Sequence, residues 1–422
     1  MNGRRLILFS LMAVFGIAMA CETQVTGPQG PTGELPRELT EAERKLIDAD
    51  RVFSYELFRN TVAHDDEENL MISPLSVSMA LAMTLNGARK QTFEEMRNTL
   101  HLQGLELEEI NEAFESLTDL LVTADPLVRM KIANSIWHDA LLPVEEDFLQ
   151  RVQQHYRAGV SGLDFSDPGA VDIINNWVAE NTEGLIEEII DEIPDEIVMY
   201  LVNALYFKGD WLRPFDLEDT HSADFHLEDG ESVEVEMMRQ EGRFALYSSA
   251  DVHLIELPYG DSLFTMSVMM PADPELPLDQ FIQEQITSEN LSNWRSNLNV
   301  SERDVTLMLP KFELEYEIEY KDLLSAMGME IAFDPYEADL LGIADVRPQN
   351  LYIDDVAHKT FIRVDEEGTE AAAVTSVGVG ITSLPPQMVV NRPFVFIIHE
   401  RESGTNLFMG KVKNPANARA SS

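Results

Sequence analysis

The sequence predicts an α+β protein with a substantial antiparallel component. Apolar residues at helical spacing are concentrated early in the chain, whereas runs rich in branched and aromatic residues dominate later. This order favours an α+β arrangement over alternating βαβ units. A hydrophobic fraction of 45% across 422 residues is enough for a large globular core.

Two helices and several strands follow from the local patterns. Residues 41–62 carry apolar side chains at roughly helical spacing, and a second helix begins at the cap-like pair Ser73 and Pro74 and ends at Gly87. Four later runs have the composition of strands: VRMKIANSIWHD (128–139), IVMYLVNALYFKGDW (197–211), FTMSVMMPAD (264–273) and RDVTLMLPKFELEYEIEY (303–320).

The charge of the chain restricts its partners. A formal net charge of -45 argues against nucleic acid or a bare anionic membrane, because both need Lys and Arg to neutralise phosphates. Two interpretations of the acidic excess remain open. One is a strongly solvated surface, and the other is adaptation to high salt, where screening removes self-repulsion.

The first twenty residues have the layout of a signal peptide. A basic start, MNGRR, precedes fifteen apolar or small residues, which is shorter than the roughly 20 that span a bilayer. The sequence AMA before Cys21 resembles the lipobox of bacterial lipoproteins, with Ala18 where Leu is more common, and predicts lipidation of Cys21. An ordinary signal peptide with an incidental cysteine is the alternative. Residues 21–38, rich in Pro and Gly, form the predicted tether.

Motifs of catalysis and metal binding are largely missing from the sequence. It contains no Gly-x-Ser-x-Gly elbow and no His-Glu-x-x-His motif, and its nine histidines show no ligand spacing. We therefore expect no cofactor and no metal. Two classes of function remain: a hydrolase whose residues meet only in space, and a binding protein whose active part is a long loop.

That loop is EEGTEAAAVTSVGVGITS (366–383), which separates strand-like runs at 350–364 and 388–400. Loops of this length are usually functional or disordered. Gly368 gives freedom for a turn, and no proline interrupts the next fourteen residues. The segment alternates, and one face is small or apolar and fit for burial beneath a sheet: Thr369, Ala371, Ala373, Thr375, Val377 and Val379. A flexible linker of small residues is the alternative.

Four ordered blocks of the sequence resemble the serpin family. They are NLMISPLSVSMALAMTLNGA (69–88), LVNALYFKGDWLRPF (201–215), FIRVDEEGTEAAAVT (361–375) and VVNRPFVFIIHERESGTNLFMGKVKNP (389–415). The resemblance covers about Leu39 to Ala418, and we take 39–418 as the serpin domain.

The resemblance implies a fold and a mechanism. The fold has three β-sheets, about eight or nine helices and an exposed reactive-centre loop. A serine protease attacks the loop and forms an acyl-enzyme, and the cut loop then inserts into the large sheet and distorts the protease. A strand of about fourteen residues at roughly 3.3 Å each would extend about 45 Å.

The resemblance also assigns the bond that the protease attacks. Counting from the hinge glycine and counting back from NRPF both give the bond between Thr382 and Ser383. Thr382, preceded by Ile381, suggests elastase-like or subtilisin-like proteases, because a trypsin-like pocket requires Arg or Lys. The implied hinge comprises Glu366, Glu367, Gly368, Thr369, Glu370, Ala371, Ala372, Ala373 and Val374. Val374 departs from the Ala that is frequent there, and slow insertion would make the protein a substrate.

Further family positions concern the large sheet and its regulation. Ser73, Ser76, Asn203 and His358 match the polar shutter that controls opening of the sheet, and Trp211 matches the breach tryptophan. The alternative for the shutter residues is that they are ordinary satisfied buried polar groups. The region that binds heparin in some members, here residues 101–115, is acidic, so no heparin-type cofactor is expected.

The sequence therefore predicts a secreted, lipid-anchored, monomeric bacterial serpin that traps serine proteases in a covalent acyl-enzyme complex. It is not expected to be an enzyme, and it contacts the membrane only through its anchor, facing the periplasm or the extracellular space. The alternatives are a non-inhibitory serpin that is simply cleaved, an inhibitor of a cysteine protease through the same loop, and a hydrolase with a buried Ser/His pair.

Overall fold

The computed structural model describes residues 33–194, 197–354, 356–369 and 386–417. Cys21, the predicted hinge residues after Thr369 and the bond between Thr382 and Ser383 lie outside the described residues. The hinge from Glu366 to Thr369, the shutter positions and Trp211 lie inside them.

The described residues form nine α-helices, six of which precede residue 182, as the sequence predicts. The first helix begins with a capping box, in which Thr40 and Glu43 satisfy each other's backbone amides, and Ser73 caps the second. The helices are α1 Glu41–His64, α2 Pro74–Leu85, α3 Lys90–Thr99, α4 Leu107–Thr123, α5 Glu146–Tyr156, α6 Gly169–Asn181, α7 Leu278–Gln285, α8 Ser288–Ser296 and α9 Lys321–Ala326.

Seventeen strands lie within the described residues. They are β1 Asn69–Ile72, β2 Val128–Asp139, β3 Gly159–Leu163, β4 Met199–Asp210, β5 His221–His226, β6 Ser232–Gly242, β7 Ala245–Ser248, β8 Val252–Pro258, β9 Phe264–Pro271, β10 Asn299–Val300, β11 Val305–Pro310, β12 Phe312–Glu319, β13 Ala357–Val364, β14 Gly368–Thr369, β15 Gln387–Val389, β16 Phe394–Glu400 and β17 Asn406–Val412.

Three predicted strands are shorter or more divided than their patterns indicated. The run 303–320 is split after Pro310, and the run 388–400 is split before Phe394, which follows Pro393. Proline has no amide hydrogen for a ladder, so it ends a strand or bends it. In the run 350–364, the strand begins only at Ala357.

The strands are joined in four hydrogen-bonded groups, almost entirely antiparallel. A seven-stranded sheet has the order β1-β17-β16-β9-β8-β7-β10, and a four-stranded sheet has the order β15-β11-β6-β5. A second group of four, β14-β4-β2-β3, lies beside the pair β12-β13. Every residue of β9, β16 and β17 is buried, so the seven-stranded sheet forms the centre of the core.

We assign the last two groups to the large sheet that the family resemblance implies, because β14 links them. Strands β2 and β4 share a long antiparallel ladder from Val128 opposite Gly209 to His138 opposite Met199. Strand β14 pairs with β4 and also contacts β13. Among the described residues no ladder joins β4 to β13, so the hinge strand lies at the boundary between two halves of one sheet.

Candidate functional site

The hinge begins as a short strand at one end of the large sheet. Gly368 lies opposite Asp210 and Thr369 lies opposite Gly209 in an antiparallel ladder. Thr369 is buried, as its place on the inward face of the alternation predicts. The chain therefore turns out of β13 and starts back beside β4.

The close approach of two backbones requires glycine at position 368. Its φ of +151° is a conformation that side chains rarely adopt, and an added Cβ would lie 2.2 Å from the carbonyl oxygen of Gly209. Gly209 itself packs beneath the ring of Tyr259, where its own Cβ would lie 3.0 Å from the ring. The hinge thus requires glycine at position 368, and a side chain at position 209 would have to shift the ring of Tyr259.

Glu366 anchors the start of the hinge through both of its carboxylate oxygens. One carboxylate oxygen accepts a hydrogen bond from Thr220 at 2.7 Å, and the other pairs with Nζ of Lys311 at 3.1 Å. Burial alone would raise the pKa of Glu366, but the hydroxyl of Thr220 and the ammonium of Lys311 hold it below its usual value. Its backbone carbonyl also accepts the amide of Phe215 at 2.7 Å. The sequence reasoning missed Thr220 and Lys311, which no local pattern connects to the hinge.

The breach position holds a buried aromatic stack. Trp211 is 3% exposed, and its ring stacks on Tyr259 with centroids 4.4 Å apart and planes 14° apart. The indole Nε1 donates to the carbonyl of Asp365 at 3.0 Å, and the hydroxyl of Tyr259 lies 3.1 Å from Oγ1 of Thr369. Trp211 and Tyr259 therefore hold the two ends of the hinge turn. Tyr259 was also missed, and only its place at the end of a strand could have drawn attention to it.

Three of the four shutter positions lie together. The amide of Ser73 donates to Nε2 of His358 at 2.9 Å, and Oγ of Ser73 accepts the amide of Ser76 at 3.4 Å. Because Nε2 accepts a hydrogen bond, His358 is neutral there, and burial lowers its pKa to about 3. This contact joins the first turn of α2 to β13.

Asn203, the fourth position, bonds elsewhere. Its Nδ2 donates to Oδ1 of Asn134 on β2 at 2.6 Å, and its buried Oδ1 has no hydrogen-bond partner among the described residues. Asn134 in turn donates to the carbonyl of Tyr156 at 2.7 Å. The structure therefore connects Asn203 to β2 and α5, with one acceptor left over. Asn134 was not predicted.

An apolar cleft separates the two halves of the large sheet. Leu205 and Phe207 of β4 line one side, and Phe361 and Ile362 of β13 line the other, with Thr369 among the lining residues. Such a cleft suits small apolar side chains, which could be buried there without overpacking.

A buried Ser/His pair exists, but its geometry does not suit acyl transfer. Ser267 Oγ lies 2.9 Å from Nε2 of His399, and Oε1 of Glu256 lies 3.7 Å from the same nitrogen. In a catalytic triad the acid bonds the other ring nitrogen and the serine is open to substrate, whereas Ser267 is fully buried. Burial also pushes the pKa of His399 well below its usual value. Nothing in this cluster supports the hydrolase alternative.

Neither a metal site nor a membrane-spanning helix is present in the described part of the chain. Within it, no group of three or more His, Cys, Asp or Glu side chains is arranged to hold a metal ion. Of the helices that the structure describes, none combines the length and apolar character needed to cross a bilayer.

Comparison with known proteins gives a family and close structural relatives. A family model described as Serpin (serine protease inhibitor) matches residues 48–415. Neuroserpin of Homo sapiens is 32% identical over 378 residues, which cover 86% of this chain and 90% of that protein. The leukocyte elastase inhibitor of Bos taurus is 33% identical over 381 residues, which cover 88% and 100%.

Solved structures agree with the family model. The native state of Tengpin, a thermophilic serpin, gives a TM-score of 0.81 at 33% identity and covers 90% of this chain and 95% of that chain. Its latent state gives 0.76 at 32% identity, covering 89% and 98%. Human thyroxine-binding globulin gives 0.80 at 28% identity, covering 89% and 99%. The α+β architecture expected from the sequence is confirmed.

Proposed function

The chain belongs to the serpin family, and from that premise we propose that it inhibits serine proteases by trapping them in a covalent acyl-enzyme complex. The target attacks the bond between Thr382 and Ser383, and insertion of the cut loop into the large sheet then distorts the protease before deacylation.

One observation carries this proposal. Gly368 and Thr369 already form a ladder with β4, while β4 and β13 share no ladder among the described residues. A strand that continues beyond Thr369 could therefore extend a sheet that is divided at this place, and its backbone groups would gain partners along β4. Glu366 and Trp211 hold the turn from which that strand would start.

The target class follows from the bait residues. Thr382 and Ile381 suit the apolar pockets of elastase-like or subtilisin-like proteases, and the relative from Bos taurus is a leukocyte elastase inhibitor. Val374 is the feature that favours the second candidate, a serpin that is cleaved without trapping. A cysteine protease that attacks the same loop would meet the same insertion step.

The location of the protein is part of the proposal. Residues 1–20 would direct secretion, Cys21 would carry the lipid, and residues 21–38 would separate the domain from the membrane. The inhibitor would then act at the cell surface as a monomer, in the periplasm or outside the cell.

The test mixes the protein without its tether with an elastase-like and a subtilisin-like protease. We expect an adduct that survives denaturing electrophoresis and a released peptide that begins at Ser383, which mass spectrometry identifies. Clean cleavage without an adduct would contradict inhibition of those proteases and leave the non-inhibitory candidate.

A hinge variant makes the test specific. In Thr369→Arg a charged side chain would have to enter a buried site beside Tyr259, so insertion should slow and cleavage should replace trapping. Thr123→Arg is the matched control, because Thr123 is exposed at the end of α4. Equal trapping by both variants would contradict the role of the hinge.

A further inference from the structure

Asp125 joins two segments that lie far apart in sequence. It is 3% exposed in the connection between α4 and β2. Its Oδ1 accepts the amide of Leu127, and its Oδ2 accepts the amide of Asp261, each at 2.8 Å. Asp261 belongs to the turn between β8 and β9, so this carboxyl group ties that turn to the connection before β2.

The Asp261 carboxyl group is close to that of Asp125, because the backbone amide of Asp261 donates to Asp125. Its Oδ1 is buried and has no hydrogen-bond partner among the described residues. Gly260 closes the contact, since a Cβ there would lie 2.4 Å from Oδ2 of Asp125. Two neighbouring carboxylates repel each other, and a proton on Asp125 relieves the repulsion.

The surroundings agree with a proton held on Asp125. Burial, together with the hydrogen bond and the charge of Asp261, raises the pKa of Asp125 to about 6, although two backbone amides oppose the shift. Charged residues of the adjoining elements include Asp119 on α4, Arg129 and Lys131 on β2, Lys208 and Asp210 at the end of β4, and Glu256 on β8. Arg129 pairs with Glu183, and Arg401 donates to the carbonyl of Ser262 at 3.0 Å.

The turn that carries Asp261 also carries the residue that holds the hinge. The amide of Gly260 donates to the carbonyl of Asp210 at 2.9 Å, beside the ladder between Asp210 and Gly368. Tyr259, two residues before Asp261, stacks on Trp211 and contacts Thr369. A shift of the turn therefore moves the side chain against which the hinge packs.

We propose that Asp125 and Asp261 are positioning residues, that Asp125 carries a proton which it donates to Asp261 in a hydrogen bond, and that this carboxyl pair fixes Tyr259 and makes the hold on the hinge depend on pH. At low pH the hydroxyl of Asp125 donates to the carboxyl group of Asp261, and the turn is held. At higher pH the proton leaves to solvent, the two carboxylates repel each other, and the hinge is released more often.

Thermodynamic linkage gives the direction in which the stability of the folded protein changes with pH. Because the pKa of Asp125 is raised above its ordinary value, the folded protein keeps a proton that the unfolded chain has lost between about pH 4 and pH 6. The contribution of the pair to stability is therefore largest at low pH and is lost as the pH rises through 6. The proposal rests on the hinge function proposed above, but its test does not require a protease.

The experiment measures hydrogen–deuterium exchange of the peptides that contain Trp211 and Gly368, in the wild type and in Asp261→Asn. An Asn amide can donate to Asp125 at every pH and so imitates the protonated pair. The intrinsic pH dependence of exchange cancels in the ratio of wild type to variant. We expect a ratio near one at pH 5 that rises several-fold at pH 8.

Control variants test whether the change in exchange is specific to the carboxyl pair of Asp125 and Asp261. Asp251→Asn, at an exposed aspartate in the same sheet, should exchange like the wild type at both pH values. If Asp261→Asn fails to fold, Asp261→Ala removes the same charge and should also give a ratio that rises with pH. A ratio that stays constant from pH 5 to pH 8 overturns the proposal. Failure of trapping with a rising ratio would instead count against the proposed function alone.

Discussion

At the scale of single residues, the hinge depends on glycine at positions 368 and 209. A Cβ at Gly368 would lie 2.2 Å from the carbonyl oxygen of Gly209, and a Cβ at Gly209 would lie 3.0 Å from the ring of Tyr259. The sequence pointed to Gly368 because a turn was expected there. It could not point to Gly209, whose neighbours Gly368 and Tyr259 come from distant parts of the chain.

Gly368→Ala should detach the hinge from β4. The new methyl group would meet the carbonyl oxygen of Gly209, and the backbone conformation alone costs about 1–3 kcal/mol for a residue with a side chain. We expect a melting temperature several degrees lower and more cleavage per trapped protease, measured by calorimetry and by gel. Gly104→Ala is the control, since no atom lies within 4 Å of its Cβ position. Equal losses in both variants would contradict the argument.

At the scale of secondary-structure elements, the sequence predicted about half of the described strands, but not which strands pair. Branched and aromatic runs identified β2, β4 and β9, because this composition is a local pattern; β9 is wholly buried, and β2 and β4 are buried in part. The partners Lys311, Tyr259 and Asn134 could not be predicted, because each acts on a residue that lies 55 or more positions away in the chain. A local sequence pattern predicts whether a residue is buried, whereas a site depends on which strands become neighbours in the fold.

His358 links α2 to β13, and its burial gives the link a pH dependence. Because its pKa of about 3 lies below the ordinary value of 6.5, the unfolded chain takes up a proton first as the pH falls below 6.5. Stability should therefore decrease by up to about 2 kcal/mol between pH 6.5 and pH 5.

The comparison of wild type with His358→Gln isolates this term. A glutamine oxygen can still accept the amide of Ser73 but takes up no proton, so the melting temperature of the variant should fall less between pH 7.5 and pH 5. His221→Gln serves as control, since His221 is exposed. Parallel melting curves for the wild type and His358→Gln would show that the buried imidazole does not set the acid sensitivity.

At the scale of the whole molecule, the net charge of -45 makes an unfavourable contribution to stability that solvent conditions can change. Acidic side chains also face each other within a sheet. Asp224 on β5 lies directly opposite Glu234 on β6, and both are exposed. Like charges in facing positions destabilise a strand pair.

Salt should therefore stabilise the protein. Raising NaCl from 0.1 M to 1 M shortens the screening length from about 10 Å to about 3 Å, and we expect the melting temperature to rise by several degrees. A nonelectrolyte at the same osmolality is the control. A rise that continues to molar salt favours adaptation to a saline environment, while a flat response would favour the solvated-surface interpretation and contradict this prediction.

The two residue pairs between β14 and β4 set the register for any residues that continue β14 along β4. Each step forward from Gly368 is one step back along β4, so an unshifted continuation would bring position 375 opposite Asn203 and position 379 opposite Met199, the first residue of β4. Position 375 is a threonine, and its hydroxyl would arrive beside the asparagine whose buried Oδ1 has no partner among the described residues. The shutter would then favour the correct register of the inserted strand over a shifted one, because a shift by one residue would turn that hydroxyl to the opposite face.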